Sequence, residues 1–150
     1  MEPLTLAAYV IQYCINRGTP ISNLQLQKIL YFIQLQSIRR TGNLIMPKAI
    51  FEAWRFGPVI PEVYSVYCLF GAYPIESVIA NTAQSDMVFT NTNYIDQVID
   101  ECLRREPWEL VALSHRANGA WEKANNVGWR TIIRNEDIIA EAQNFNLLEN

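Results

Sequence analysis

The sequence predicts a mainly α, α+β fold: one compact helical domain over residues 1–150, built around a central buried helix, with a small β-hairpin or short sheet. Three observations predict it. Apolar residues recur at three- and four-residue spacing through most of the chain, which is the period of an amphipathic helix. One stretch, Asn23–Arg40, is apolar around so much of its circumference that it needs burial on more than one side. A few short runs rich in β-branched and aromatic residues are bounded by Gly, Pro and Asn, the punctuation of strands and turns. At 150 residues such a domain buries about 70% of its unfolded surface, so its core needs no metal or disulfide staple. No repeat, low-complexity tract, linker or second domain is expected.

The first helix runs from Leu4 to Arg17, with Leu4, Ala7, Ala8, Ile11 and Ile15 on one face and Gly18 at its end. After a turn at Thr19-Pro20, Ser22 and Gln25 form a capping box, each side chain satisfying the other's free backbone N–H. The central helix that follows carries Leu26, Ile29, Leu30, Ile33 and Ile38 along one side, widened by Leu24, Tyr31 and Leu35. Arg39 and Arg40 favour the negative end of its dipole, and Thr41-Gly42-Asn43 closes it. Ile50–Arg55 reads as a short strand or extended segment ending at Gly57-Pro58. Pro61 suits the first turn of a helix reaching Phe70, with Val63, Val66, Tyr67 and Phe70 inward and Gly71 as its stop. Ile75–Ala80 and Met87–Thr90 are β-like runs separated by a turn-rich segment, the expected hairpin. Asn93 is placed to cap a helix from Tyr94 to Arg105. Pro107 opens another with Trp108, Val111, Ala112 and His115 on one face, broken by Asn118-Gly119. One helical turn at Trp121–Asn126 and a last helix from Asn135 or Asp137 to Asn144 complete the reading.

Composition excludes several function classes. Half the residues are apolar, only 18% are charged, and thirteen Asn and eight Gln supply much of the polar surface. A net charge of −3 and a pI near 5.2 argue against a nucleic-acid module, which needs a basic face to neutralise phosphates. Residues 4–40 resemble a helix-turn-helix only in outline, because the second helix is apolar around most of its surface and carries only Lys28 early on. The low surface charge is compatible with self-association but does not require it. Cys14, Cys68 and Cys102 are widely spaced and odd in number, which reads as buried thiols in a reducing compartment. No segment reaches the ~18 consecutive apolar residues of a membrane span. The N-terminus also lacks the pattern of a secretory signal, so a cytoplasmic location is expected.

The residues point to no enzyme, metal site or cofactor. His115 is the single histidine, and no cysteine or carboxylate sits at metal-ligand spacing from it. Ser114 is its sequence neighbour, but adjacent helical residues point about 100° apart, poor geometry for a nucleophile and its base. An enzyme would have to use His115 with a nearby carboxylate in a solvated cleft. The alternative is a packing role for His115 against Trp121. No phosphate-binding glycine loop is present.

The most informative segment runs from Phe51 to Tyr64, with four aromatics, two prolines and a glycine in fourteen residues. It is either a strand-to-helix corner packed into the core or a rigid partner-binding surface, since aromatics and Arg are the usual interface anchors. Trp54, Phe56, Tyr64 and Tyr67 are the candidate partner-binding residues, with Gly57, Pro58, His115 and Trp121 as structural support.

This segment and its flanks resemble the SocA-like antitoxin family, also called Panacea, which includes phage-associated GepA-type proteins. The resemblance rests on Leu26-Gln27-Lys28-Ile29-Leu30-Tyr31-Phe32 with Gln34, on the whole Phe51–Tyr64 block, and on Leu113-Ser114-His115 followed by Trp121. It implies a protein that neutralises a toxin of a bacterial or prophage toxin–antitoxin system by direct contact. Because one branch of the family delivers its toxin to the ClpXP protease, it also allows an adaptor role. A phage-associated structural or regulatory protein that has kept the fold without the toxin partner is a third expectation.

Overall fold

Ser22 opens the helix on which the rest of the chain is assembled. In the computed structural model, which describes residues 1–79 and 92–149, its hydroxyl accepts from the Gln25 N–H at 3.3 Å. The Gln25 side chain accepts from the Ser22 N–H at 3.0 Å, which completes the capping box. The helix, α2, runs over Asn23–Thr41 and ends at Gly42, whose φ of 78° gives the left-handed C-cap. Every residue from Leu26 to Ile38 is buried. Neighbours surround it: α1 (Pro3–Asn16), α3 (Pro61–Tyr67), α4 (Asn93–Leu103), α5 (Pro107–Ser114) and α7 (Asn135–Asn144) all pack on α2. A sixth short helix, α6 (Ala120–Val127), lies against α7 and the small sheet.

The core is one contiguous cluster in which Leu6, Val10 and Ile11 of α1 and Ile95, Val98 and Ile99 of α4 enclose Leu26, Leu30 and Ile33 of α2. Each such fully buried aliphatic side chain contributes about 1.5–3 kcal/mol relative to exposure. The mainly α, α+β class holds, but the buried face of α1 is turned from the expected one: Leu6, Val10 and Cys14 join Ala7 and Ile11 inside, while Leu4 and Ile15 are only partly buried.

The sheet lies elsewhere than expected. Its strands, β1 (Glu52–Trp54) and β2 (Gly57–Val59), pair antiparallel around a two-residue turn at Arg55-Phe56. Gly57-Pro58 therefore begins the second strand and does not end the first. The outer edge of β1 is covered by the segment 130–133: Ala53 N–H donates to Thr131 O, Arg130 N–H to Ala53 O and Ile133 N–H to Phe51 O, at 2.8–2.9 Å. Of the expected hairpin, Ile75 lies in no strand, and its N–H donates to Ile21 O at 2.7 Å. Its apolar side chain is fully buried against the core, so no strand partner is needed. Met87–Thr90 lies outside the described residues.

Three further expectations are corrected. Helix α5 buries Leu110 and Ser114, whereas Trp108 is 68% exposed. The side facing the hairpin admits only a small residue at Ser114, and that close approach outweighs the apolar stripe. Cys14 and Cys102 are buried thiols, but Cys68 is exposed in a 3-10 turn (Cys68–Phe70) that extends α3 to Gly71. Asn93 is the first residue of α4 and not its cap, and the Thr92 side chain makes no capping bond. Lys28, for which the sequence indicates no particular burial, is only 1% exposed.

Candidate functional site

Three polar side chains on one side of α2 bind the backbone of the hairpin corner. Asn23 Nδ2 donates to Tyr64 O at 3.1 Å, Gln27 Oε1 accepts from Ile60 N–H at 2.9 Å, and Lys28 Nζ donates to Pro58 O at 2.9 Å. Gln27 Nε2 in turn donates to Asn23 Oδ1 at 3.0 Å. All three residues are at most 2% exposed, and these bonds offset the cost of burying them. Gln34 does the same for the preceding loop, accepting from Met46 N–H and donating to Met46 O.

Gly57 makes the corner possible. Its φ of +119° disfavours any side chain, and a Cβ there would stand 2.5 Å from Lys28 Cε and 2.6 Å from Ser114 Oγ. The backbone of β2 is thereby pressed between α2 and α5. Behind β1, Trp121 Nε1 donates to Trp54 O at 2.9 Å, and the His115 ring stacks on Trp121 at 3.6 Å with the planes 6° apart. The Trp54 indole N–H donates to Glu52 Oε1 at 2.9 Å. Arg130 lies over the Trp54 ring at 4.3 Å and pairs with Glu52 at 3.2 Å.

Held this way, the corner walls a cavity of about 500 Å³ together with the start of α2. Trp54, Phe56, Tyr64 and Trp129 supply its aromatic surface, and Asn23, Gln27 and Lys28 also line it. Trp54 and Tyr64 meet edge to face at 4.9 Å. Phe56 is 54% exposed, Tyr64 37% and Trp129 72%. Arg55, in the turn, contributes a second cation beside the Phe56 ring. Among the described residues no Asp or Glu lines this cavity.

Trp54, Phe56 and Tyr64 therefore converge as the sequence suggests, and Gly57, Pro58, His115 and Trp121 stand behind them. Tyr67 does not join them: it is fully buried in the core and outside the groove. Sequence reasoning missed Trp129, Arg55 and Lys28. A tryptophan beside Gly128 in a non-periodic stretch was the available signal for Trp129. Nothing local marks Lys28 as buried.

Burial pushes the Lys28 amine down from 10.5 to about 7. His115 is also lowered, first by burial and then by the Lys28 charge, and its Nε2 is buried without a hydrogen-bond partner among the described residues. Ser114 Oγ donates to Val111 O of its own helix at 2.8 Å. Neither Ser114 nor His115 lines the groove. Among the described residues no cluster of three or more His, Cys, Asp or Glu could hold a metal ion, and no helix is long and apolar enough to cross a membrane.

A second buried polar site lies further along α2. Glu141 of α7, with its side chain 1% exposed, accepts from Arg116 at 2.6 Å, from the Tyr31 hydroxyl and from Ala120 N–H at 3.4 Å. The Arg116 guanidinium covers the Phe145 ring at 3.7 Å. Burial, followed by the Glu141 charge, holds the Tyr31 hydroxyl well above its ordinary pKa.

Residues 26–122 match the family model described as antitoxin SocA-like, Panacea domain. The chain is 35% identical over 116 residues to Antitoxin SocA of Caulobacter vibrioides (strain NA1000 / CB15N). That alignment covers 71% of this chain, which spans 61% of the length of the relative. No solved structure matches. Trp54, Phe56 and Tyr64 fall within the family-matched residues, and Trp129 falls beyond them.

Proposed function

The chain belongs to the SocA-like antitoxin (Panacea domain) family, and from that premise we propose that it neutralises a protein toxin by direct contact at the aromatic groove. The toxin would be the partner in a bacterial or prophage toxin–antitoxin system, met in the cytoplasm, and the reading needs no cofactor. The observation that carries it is the exposure of Phe56, Tyr64 and Trp129 on a frame locked from behind by Asn23, Gln27 and Lys28. Large apolar side chains clustered in water mark interaction surfaces. Rigid aromatic anchors lose little entropy on docking, and each contributes about 2 kcal/mol or more when buried at an interface.

The test is growth rescue. The neighbouring open reading frame is expressed from an inducible promoter with and without this protein, and co-purification is measured alongside. Toxicity relieved with a stable complex supports direct neutralisation. Relief accompanied by protease-dependent loss of the toxin would replace that mechanism with delivery to ClpXP. Rescue by Phe56→Ala and Trp129→Ala variants that matches the parent would place the contact elsewhere.

A further inference from the structure

The groove combines two features that aromatic packing alone does not require. Its floor holds Lys28, one of whose three N–H donors is used by Pro58 O, and no carboxylate lies within 4 Å of that amine among the described residues. Its rim holds Arg55, whose guanidinium lies beside the Phe56 ring at 5.3 Å and forms no ion pair among the described residues. The groove thus has a basic group in its floor and another at its rim, and no acid in its described lining, on a protein whose net charge is −3. Several other basic groups are matched, Arg116 by Glu141, Arg130 by Glu52, Arg104 and Arg105 by Glu101. Arg39 and Arg40, which also lack an ion pair among the described residues, bond to Ala142 O and Gln97 away from the groove. A buried amine short of an anion is costly to protonate, and an incoming carboxylate would supply the charge-assisted partner it lacks.

We infer that the groove receives a polypeptide segment of the partner in which an Asp or Glu side chain is flanked by apolar residues. The apolar residues would pack against Phe56, Tyr64 and Trp129, while the carboxylate meets the exposed Arg55 at the rim, with the buried Lys28 amine beneath it in the floor. The inference deepens the groove reading above and rests on it. Complementary charge fixes register and rejects wrong partners more than it adds raw affinity. The aromatic walls would therefore supply the grip and the two cations the choice among segments.

The probes are fluorescein-labelled octapeptides with capped ends, Leu and Phe at alternating positions, and one central residue set to Glu, Gln or Lys. Binding to the full chain is read by fluorescence polarisation. The Glu peptide is expected to bind at least about tenfold tighter than its Gln isostere, and the Lys peptide weakest. Arg55→Gln should shrink the Glu-over-Gln preference without altering the melting temperature, because Arg55 is exposed. Lys28→Met should shrink the Glu-over-Gln ratio further, whatever the loss of its bond to Pro58 O does to the affinity for both peptides. Should Lys28→Met fail to fold, the Lys28 Nζ resonance of the parent protein serves in its place, shifting on addition of the Glu peptide and not of the Gln peptide. Equal affinity for Glu and Gln peptides overturns the inference, as does a preference that survives both substitutions, or no binding by any peptide. A capped peptide that binds only once its C-terminal carboxylate is freed also overturns it, since the ligand would then be a chain end. The outcomes stay separable from growth rescue: Glu selectivity with rescue indifferent to Phe56→Ala would retain the ligand chemistry and discard the antitoxin contact.

Discussion

Helix α2 carries two buried polar sites less than one helical turn apart in sequence, and they are finished to different degrees. At Tyr31 the carboxylate is saturated: Glu141 is surrounded by a hydroxyl, a guanidinium and a backbone N–H, and the one orphan among the described residues there is the buried Arg116 Nε. At Lys28 the amine is held by one carbonyl, and burial drives its pKa down to about 7. The first site joins α2, α6 and α7 and opens onto no aromatic groove. The second holds the hairpin against α2 and lines the cavity. A saturated buried charge explains itself as structure, because removing any partner leaves an unpaired group in low dielectric. A buried charge left short beside exposed aromatics leaves room for something else to complete it.

That comparison can be broken most directly at Glu141. Replacing it with Ala strands Arg116 and Tyr31 and should cost about 3–5 kcal/mol, read as a loss of midpoint in urea denaturation. A cost below ~1 kcal/mol would mean that the site is solvated and that the contrast with Lys28 is false. Next in size is Gly57→Ala. A methyl group there meets Lys28 Cε and Ser114 Oγ in a backbone conformation that disfavours it, so a loss of about 2–4 kcal/mol is expected. The same variant should weaken partner capture, because the strands that carry Trp54 and Phe56 must move. Unchanged stability would show that the corner is looser than its hydrogen bonds imply.

The Lys28 end is sharpened by pH. Its folded-state pKa of about 7 lies below the ordinary 10.5 of the unfolded chain. Between those values the unfolded state binds a proton that the folded state does not, so stability rises with pH. The other ionisable side chain coupled to it, His115, is lowered from 6.5 and acts below that window. From pH 7 to 8.5 the parent protein should gain on Lys28→Met by on the order of 1 kcal/mol per pH unit, measured by urea titration of both. Parallel curves would mean that the amine stays protonated in the fold. The smallest stability effect is expected at the groove surface. Phe56→Ala and Trp129→Ala should change stability by less than ~0.5 kcal/mol yet weaken toxin capture at least about tenfold, checked by thermal melts beside co-purification. Melting in step with lost capture would return these aromatics to the core.

Local chemistry was legible in the sequence wherever a feature closes on itself over a few residues. The Ser22–Gln25 box, the Gly42 stop, the Pro61 and Pro107 helix starts and the period of α4 all depend on neighbours within about one turn, and all are realised. The convergence of Trp54, Phe56 and Tyr64 was legible for the same reason, since the hairpin and its following helix are continuous chain. The rest was decided at long range. Trp129 joins the groove because the segment 130–133 adds to the edge of β1, far away in sequence. Tyr67 is withdrawn into the core, where the period of α3 already places it, against its standing among the partner-binding candidates. Periodicity reports which face of a helix is apolar, but not which neighbour covers that face or how closely. Lys28 is buried because a glycine strand closes over it, and no property of residues 23–40 alone could have required that.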